Sequence, residues 1–173
     1  MQKITYPIQS GMNNLAEAIF AGGCFWGVEH LMKQQNGVIS VESGYIGGNV
    51  ENPTYEQVKT GTTEHAEAVR IIYDSNIVNY ETLAKLFFEI HDPTQVDGQG
   101  PDIGSQYRSE IFYNTPEEKS IAQNLIDVLK SKGFDVQTKL TSASKFYPAE
   151  DYHQDYFAKH GDEHTCHFYT KRF

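Results

Sequence analysis

The residues that could carry chemistry centre on a cysteine at a predicted strand-to-helix turn. Residues 15–21 have the pattern of a strand, two glycines allow a tight turn, and helical spacing of apolar residues runs over 24–35. The first turn of a helix presents unpaired N–H groups and the positive end of the helix dipole, which both favour a thiolate. We therefore expect Cys24 to have a lowered pKa and to act as a nucleophile.

A packing role is the alternative for Cys24. A lone cysteine in a cytosolic protein is more often a small buried hydrophobe than a nucleophile. The Gly-Gly-Cys turn and the adjacent Phe25-Trp26 pair, which contains the only tryptophan of the chain, favour the nucleophile.

A glutamate in another predicted strand could supply a proton. Alternation along residues 66–73 puts Glu67 on the same face as Val69, with Arg70 on the opposite face. If the Val69 face points to the core, burial would raise the pKa of the Glu67 carboxyl and keep it protonated near neutral pH. The alternative is a glutamate in solvent that pairs with His65 or Arg70.

The spacing of Cys24 and His153 suggests a papain-like cysteine peptidase as a rival enzyme. The two residues are 129 positions apart, close to the separation of nucleophile and histidine in such peptidases. No asparagine follows Asn124, so the orienting amide is missing and Asp155 or Asp162 would have to replace it.

A cluster near the C-terminus suggests a metal-binding module as a third possibility. Its composition suits zinc or copper, although its spacing fits no closed four-ligand pattern, and a solvated polar tail is the more common outcome. The cluster consists of His160, Asp162, Glu163, His164, Cys166 and His167.

Length, composition and charge set the class of the protein. The chain has 173 residues, 39% of them hydrophobic and 21% charged, as expected for one globular domain over 1–173. A net charge of −9 argues against nucleic-acid or anionic-membrane partners, and no apolar run is long enough to cross a membrane. Two cysteines exclude a disulfide scaffold, and the first residues lack the apolar segment of a secretory signal, so we expect a cytoplasmic protein.

The elements that must position these residues alternate between strands and helices. Beyond an irregular arm (1–13), the pattern predicts strands at 15–21, 38–45, 66–73, 108–113 and 136–141. Helices are predicted at 24–35, at 55–59, after an Asn79 N-cap, and after a Thr115 N-cap with Pro116 at its first position and Glu118 completing a capping box. The side chains of the last helix that we expect to point into the core are those of Ile121, Leu125, Ile126, Val128 and Leu129.

The remaining segments are a long loop and a C-terminal tail. Residues 92–106 hold too many glycines and prolines for a regular element, so we expect a functional loop there, and 158–173 form the tail. Five strands interleaved with three longer helices predict a mixed sheet with helices packed on it. The pattern leaves open whether the helices cover one face or both.

A series of sequence blocks resembles the A-type peptide methionine sulfoxide reductases. The blocks follow one another in the order of that family over about residues 15–157. They include Gly23-Cys24-Phe25-Trp26-Gly27-Val28-Glu29, Gly44-Tyr45-Ile46-Gly47-Gly48, Asn52-Pro53-Thr54-Tyr55, His65-Ala66-Glu67-Ala68-Val69, His91-Asp92-Pro93-Thr94, Gln106-Tyr107-Arg108-Ser109 and Tyr147-Pro148-Ala149-Glu150-Asp151-Tyr152-His153-Gln154.

This resemblance implies an α+β fold and a reaction. The fold is a two-layer α/β plait with a mixed sheet and a ferredoxin-like core. The reaction is thiol-dependent reduction of methionine (S)-sulfoxide, in proteins, peptides or the free amino acid, back to methionine. Cys24 would attack the sulfur and become a sulfenic acid, Glu67 would protonate the oxygen, and Tyr55 and Tyr107 would hydrogen-bond the same oxygen.

The resemblance also implies the residues that hold the substrate. Phe25 and Trp26 match the apolar pocket for the S-methyl group, and Asp102 matches a carboxylate that positions the substrate. His153 and Tyr156 match residues that line the site. For His153, a structural hydrogen-bonding role is the alternative.

Regeneration of the enzyme requires a second thiol, because a sulfenic acid is vulnerable to further oxidation. By resemblance this resolving cysteine is Cys166, the only other cysteine, although its neighbours depart from the usual glycine-rich stretch. A Cys24–Cys166 disulfide would be reduced by thioredoxin, and without it another thiol must regenerate Cys24. The resemblance implies no metal or other cofactor, and we expect a monomer.

Overall fold

The computed structural model describes residues 14–161, 165 and 167–173. The predicted N-terminal arm and four members of the predicted metal cluster lie outside the described residues, namely Asp162, Glu163, His164 and Cys166.

A six-stranded mixed sheet forms the centre of the fold. In chain order the strands are β1 (Leu15–Gly22), β2 (Val38–Ile46), β3 (Ala66–Asp74), β4 (Gly98–Gln99), β5 (Asp102–Ile103), β6 (Ser109–Tyr113), β7 (Lys139–Ser142) and β8 (Tyr147–Pro148). The large sheet has the order β7-β6-β1-β3-β2-β8, and β4 and β5 form a separate hairpin. Each neighbouring pair in the large sheet is antiparallel except β6 and β7, which are parallel.

Five α-helices in the described part of the chain are joined to these strands. They are α1 (Phe25–Lys33), α2 (Tyr55–Lys59), α3 (Tyr80–Ile90), α4 (Pro116–Ser131) and α5 (Tyr156–His160). The predicted N-caps are confirmed, because the side chains of Asn79 and Thr115 accept the N–H groups of Thr82 and Glu118. The predicted capping box is wrong by one residue, since the Glu118 carboxylate accepts from the N–H of Asn114.

The order of elements gives the ferredoxin-like core that the family resemblance implied. The path β1–α1–β2–β3–α3–β6 builds four antiparallel strands in the order β6-β1-β3-β2, and β7 and β8 extend the two edges. Buried residues of α1, α3 and α4 pack against one face of the sheet and form one apolar core with it. The strands contribute Phe20, Val69 and Ile111 to this core. A smaller cluster around Phe112 and Phe146 covers the opposite face. The helices therefore cover one face, as a two-layer α+β fold requires.

Two local predictions are wrong in detail. Val128 is 40% exposed, so α4 packs through Ala122, Leu125, Ile126 and Leu129 instead. The loop over 92–106 contains the β4–β5 hairpin and a 3-10 turn at Ser105–Tyr107. The Gln99 side chain holds this loop in place. Its amide accepts a hydrogen bond from the N–H of Asp92 and donates one to the carbonyl of the same residue. None of the helices in the described part of the chain has the length and apolar character to span a membrane.

Candidate active site

A cleft of about 410 Å³ opens at the N-terminus of α1. It is the place where the end of β1, the middle of the sheet and the β4–β5 hairpin meet. Most of the predicted site residues line it, namely Cys24, Phe25, Trp26, Tyr55, Glu67, Asp102, Tyr107 and Tyr156.

Cys24 is the last residue before α1 and is half-buried. The backbone N–H groups of Trp26 and Gly27 favour its thiolate, as the sequence predicted for a helix N-terminus. Burial acts more strongly in the opposite direction and, together with the nearby Glu67, raises the pKa of Cys24 to about 12. The expectation of a lowered pKa is therefore wrong, and the thiol is protonated at neutral pH.

Glu67 lies on the same face of β3 as Val69, as the alternation predicted, and this face meets the core. Its side chain is 2% exposed and accepts the backbone N–H of Phe25 at 3.3 Å. Burial, opposed by that hydrogen bond, raises the pKa of Glu67 to about 8. The carboxyl is therefore largely protonated at neutral pH and adjoins the first turn of α1, beside Cys24.

The alternative of a solvent glutamate paired with His65 or Arg70 is excluded. The ring nitrogens of His65 contact the backbone at positions 48 and 50. Arg70 forms an ion pair with Glu42 on the neighbouring strand β2. Both groups are therefore engaged elsewhere, and the charge of Asp102 further raises the pKa of Glu67.

Tyr55 and Tyr107 bring two phenol groups to the same cleft. Tyr55 begins α2 behind a capping box formed by Thr54 and Gln57, and Tyr107 ends the 3-10 turn before β6. Burial and then Glu67 raise the pKa of Tyr55 to about 12 and shift the pKa of Tyr107 in the same direction. Both hydroxyls therefore stay protonated at neutral pH and can donate hydrogen bonds.

An aromatic wall faces these polar groups. The indole of Trp26 stacks on Tyr156, with ring centres 3.7 Å apart and planes 7° from parallel. Phe25 is buried beside it. Asp102, on the β4–β5 hairpin, adds a carboxylate at the rim.

His153 lies behind this wall and does not line the cleft, so its predicted lining position is wrong. The side chain is fully buried, and its Nδ1 is 3.0 Å from the indole Nε1 of Trp26. Its Nε2 lies 3.4 Å from the carboxylate of Glu150. Neither nitrogen is available to Cys24, which excludes the papain-like pair, and the structural alternative for His153 agrees with the geometry.

Comparison with known proteins decides the family. The family model described as "Peptide methionine sulfoxide reductase" matches residues 16–173. Peptide methionine sulfoxide reductase MsrA of Acinetobacter baumannii (strain AYE) is 49% identical over 154 residues, which cover 89% of each chain. The chain belongs to the peptide methionine sulfoxide reductase family. It is a thiol-dependent oxidoreductase that reduces methionine sulfoxide.

Solved structures agree with this assignment. Mxr1 from Saccharomyces cerevisiae in reduced form has a TM-score of 0.85 at 30% identity, covering 91% of this chain and 93% of its own. Mxr1 in complex with Trx2 has a TM-score of 0.60 at 21% identity, covering 93% and 92%. The latter likeness shows the fold.

The lining of the reductase cleft also includes five residues that the sequence did not assign to the site, namely Gly27, Phe157, His160, Gly161 and His167. His167 is 3% exposed, and its Nε2 lies 2.7 Å from the carbonyl of Gly22. It fits because position 27 is glycine, where a Cβ would lie 2.3 Å from Nδ1. A local pattern could not reveal this contact between distant parts of the chain.

The histidines at 160 and 167 belong to the predicted metal cluster. Within the residues that the structure describes, no group of three or more His, Cys, Asp or Glu side chains could hold a metal ion. The other four members of the cluster lie outside those residues, so the metal-binding alternative stays a prediction.

Proposed function

We propose that Cys24 attacks the sulfur of methionine (S)-sulfoxide while Glu67 protonates the oxygen. The observation that carries this proposal is that a half-buried thiol and a buried, neutral carboxyl line one cleft. Oxide is a very poor leaving group, so the reaction needs an acid that still holds its proton near neutral pH. Glu67 meets this requirement because burial has raised its pKa.

The proton balance follows from the two pKa values. Glu67 donates its proton to the sulfoxide oxygen, which makes the sulfur a better electrophile. The Cys24 sulfur bonds to that sulfur, and the thiol proton passes to the Glu67 carboxylate. The hydroxyl then moves from the substrate sulfur to the Cys24 sulfur, and the bond between the two sulfur atoms breaks. Methionine is released, and Cys24 is left as a sulfenic acid. The substrate sulfur gains two electrons, the cysteine sulfur loses two, and Glu67 ends protonated.

The remaining lining residues hold the substrate in the orientation that this step needs. Tyr55 and Tyr107 donate hydrogen bonds to the oxygen, and the stacked rings of Trp26 and Tyr156 contact the S-methyl group. Asp102 binds polar atoms of the substrate backbone. The oxygen, the methyl group and the rest of the substrate chain contact different parts of the cleft, which distinguishes the two epimers at sulfur. We assign the S epimer, as the family resemblance implies.

Cys166 is proposed as the resolving cysteine, with thioredoxin as the reductant of the resulting disulfide. Two observations support this proposal. His167, the next residue in the sequence, lines the cleft, and the related yeast Mxr1 has been solved in complex with Trx2. Oxidised proteins, peptides and free methionine sulfoxide are the proposed substrates of a cytoplasmic monomer. The reaction as written needs no metal or other cofactor.

A peptide assay tests the proposed function against the peptidase alternative. The same peptide is incubated with its methionine oxidised as the S epimer, as the R epimer, and unoxidised, with dithiothreitol as reductant. We expect reduction of the S epimer alone, no cleavage of any peptide, and no reduction by Cys24→Ser. Reduction by Cys24→Ser would show that another residue attacks the sulfur, and cleavage of the unoxidised peptide would support the peptidase.

A further inference from the structure

His153 contacts three aromatic rings of the cleft from behind. Its ring centre lies 5.2 Å from that of Phe25, 5.6 Å from that of Trp26 and 4.3 Å from that of Tyr55. The proposed reaction gives this histidine no step, yet a fully buried imidazole costs free energy unless its nitrogens are paired. The partners of its two ring nitrogens therefore indicate the role of His153.

The contacts of His153 determine which ring nitrogen carries the proton. The indole N–H of Trp26 can only donate, and it lies 3.0 Å from Nδ1. Nδ1 must therefore accept, which puts the proton of the neutral ring on Nε2. Burial lowers the pKa of His153, which agrees with a neutral imidazole.

Glu150 faces the other nitrogen. Nε2 is buried without a hydrogen bond of good geometry to any described residue, and Oε2 of Glu150 lies 3.4 Å from it. The same carboxylate accepts the backbone N–H of Tyr55 at 3.1 Å and lies 3.4 Å from the hydroxyl of Tyr45. A carboxylate in this place favours the tautomer with the proton on Nε2, and so keeps Nδ1 free to accept from Trp26.

We infer that Glu150 and His153 form a positioning pair that fixes the indole of Trp26 against the S-methyl group of the substrate. The indole is restrained at its edge by the hydrogen bond to His153 and on its face by Tyr156, 3.7 Å away. Glu150 also holds the first residue of α2, so one carboxylate joins the Trp26 and Tyr55 sides of the cleft. The identity of the methyl group rests on the proposed function, whereas the restraint on the indole does not.

The kinetic consequence is a change in substrate binding. The methyl group contacts the indole both before and during the reaction, so a loosened indole should raise KM more than it lowers kcat. We expect His153→Leu to raise KM roughly three- to tenfold, the effect of one lost buried hydrogen bond.

The single tryptophan allows a direct test by NMR. A ¹H–¹⁵N spectrum contains one indole N–H resonance, which belongs to Trp26. We expect it to lie downfield and to exchange slowly with solvent in the wild type. His153→Leu should move it upfield and speed its exchange, whereas His153→Asn, whose Oδ1 can replace Nδ1 as acceptor, should retain most of the shift.

Glu150→Gln separates positioning from packing. The new amide must present a donor either to His153 or to the Tyr55 N–H, so the tautomer of His153 is no longer fixed. The indole resonance should therefore move upfield, although the imidazole of His153 stands between the substituted side chain and Trp26. Glu56→Gln removes the same charge from an exposed position on α2 and should leave both the resonance and KM unchanged.

Two results would overturn the inference. One is an indole resonance in His153→Leu at its wild-type position, and the other is a Glu150→Gln spectrum no different from that of Glu56→Gln. If His153→Leu does not fold, His153→Asn and Glu150→Gln decide the question. The spectra are recorded without substrate, so failure of the proposed function would appear separately, as a wild-type protein with a restrained indole and no reductase activity.

Discussion

The reactive pair of the cleft consists of two acids in one buried environment. Burial raises the pKa of Cys24 to about 12 and that of Glu67 to about 8, and the charge of Glu67 adds to the shift on Cys24. At neutral pH the pair is therefore uncharged. This state keeps a proton beside the nucleophile, because a thiolate and a carboxylate would be two neighbouring negative charges that repel each other.

Alkylation of Cys24 tests this description of the thiol. In a Cys166→Ser background only Cys24 remains, and its reaction with iodoacetamide follows the thiolate fraction. We expect a rate that is low at pH 7 and still rises above pH 10. Glu67→Gln should raise the rate at pH 9, because it removes the charge that raises the pKa of Cys24.

The matched control for that experiment is Glu64→Gln. Glu64 is exposed and its carboxylate contacts Asn49, so its loss should leave the rate unchanged. An alkylation rate that already levels off near pH 7 would contradict the account and restore the lowered pKa expected from the sequence.

Strand alternation was sufficient to put Glu67 on the face of Val69, and the structure shows that this face meets the core. The pKa of Cys24 could not be predicted in the same way. The helix N-terminus acts as expected through Trp26 and Gly27, but the burial that outweighs it comes from segments far away in the sequence.

Among the structural elements, the turn from β1 into α1 depends on glycines that let distant segments come close. Gly23 has a φ of 94°, and a Cβ there would lie 2.6 Å from the side chain of Gln99. Gly27 admits the imidazole of His167, which closes this side of the cleft. The glycines around Cys24 therefore also leave space for two side chains from distant parts of the chain, those of Gln99 and His167.

Gly27→Ala tests this close approach. The added Cβ would meet His167 Nδ1 at 2.3 Å, so we expect a loss of about 1–3 kcal/mol in the free energy of unfolding. Chemical denaturation of Gly27→Ala, His167→Ser and the double variant measures the coupling. If Gly27→Ala lowers the free energy of unfolding equally in the presence and absence of His167, the contact with His167 is not the reason why position 27 must be glycine.

Elements with local causes were predictable, and elements made by tertiary contacts were not. The caps at Asn79 and Thr115 and the spacing of apolar residues located α3 and α4. The β4–β5 hairpin instead takes its order from the Gln99 side chain, and β8 is only two residues long and exists because it pairs with β2.

The whole chain is arranged so that its last residues return to its first helix. His167 lies at the N-terminus of α1, and beyond it the Arg172 guanidinium donates to the carbonyl of Phe88 while Tyr169 contacts Glu89 on α3. The C-terminal segment therefore contacts both the start of α1 and the end of α3. This arrangement supports a role for Cys166 in a reaction that starts 142 positions earlier in the sequence.

Cys166→Ser tests that role. We expect the variant to reduce about one equivalent of methionine sulfoxide and to gain the mass of one oxygen, but not to turn over with thioredoxin and its reductase as the only electron source. The wild type should instead lose two hydrogens as an internal disulfide forms. Undiminished thioredoxin-driven turnover of Cys166→Ser would show that Cys24 is regenerated without it.

The most direct test of the central claim is the pH dependence of single-turnover reduction by the wild type and by Glu67→Gln. Because Glu67 must be protonated to act, the wild-type rate should be highest below its pKa of about 8 and fall as the pH rises through it. Glu67→Gln should be slower by about 10²- to 10⁴-fold and should lack that fall. A Glu67→Gln variant with the wild-type rate and the same decline near pH 8 would contradict the account.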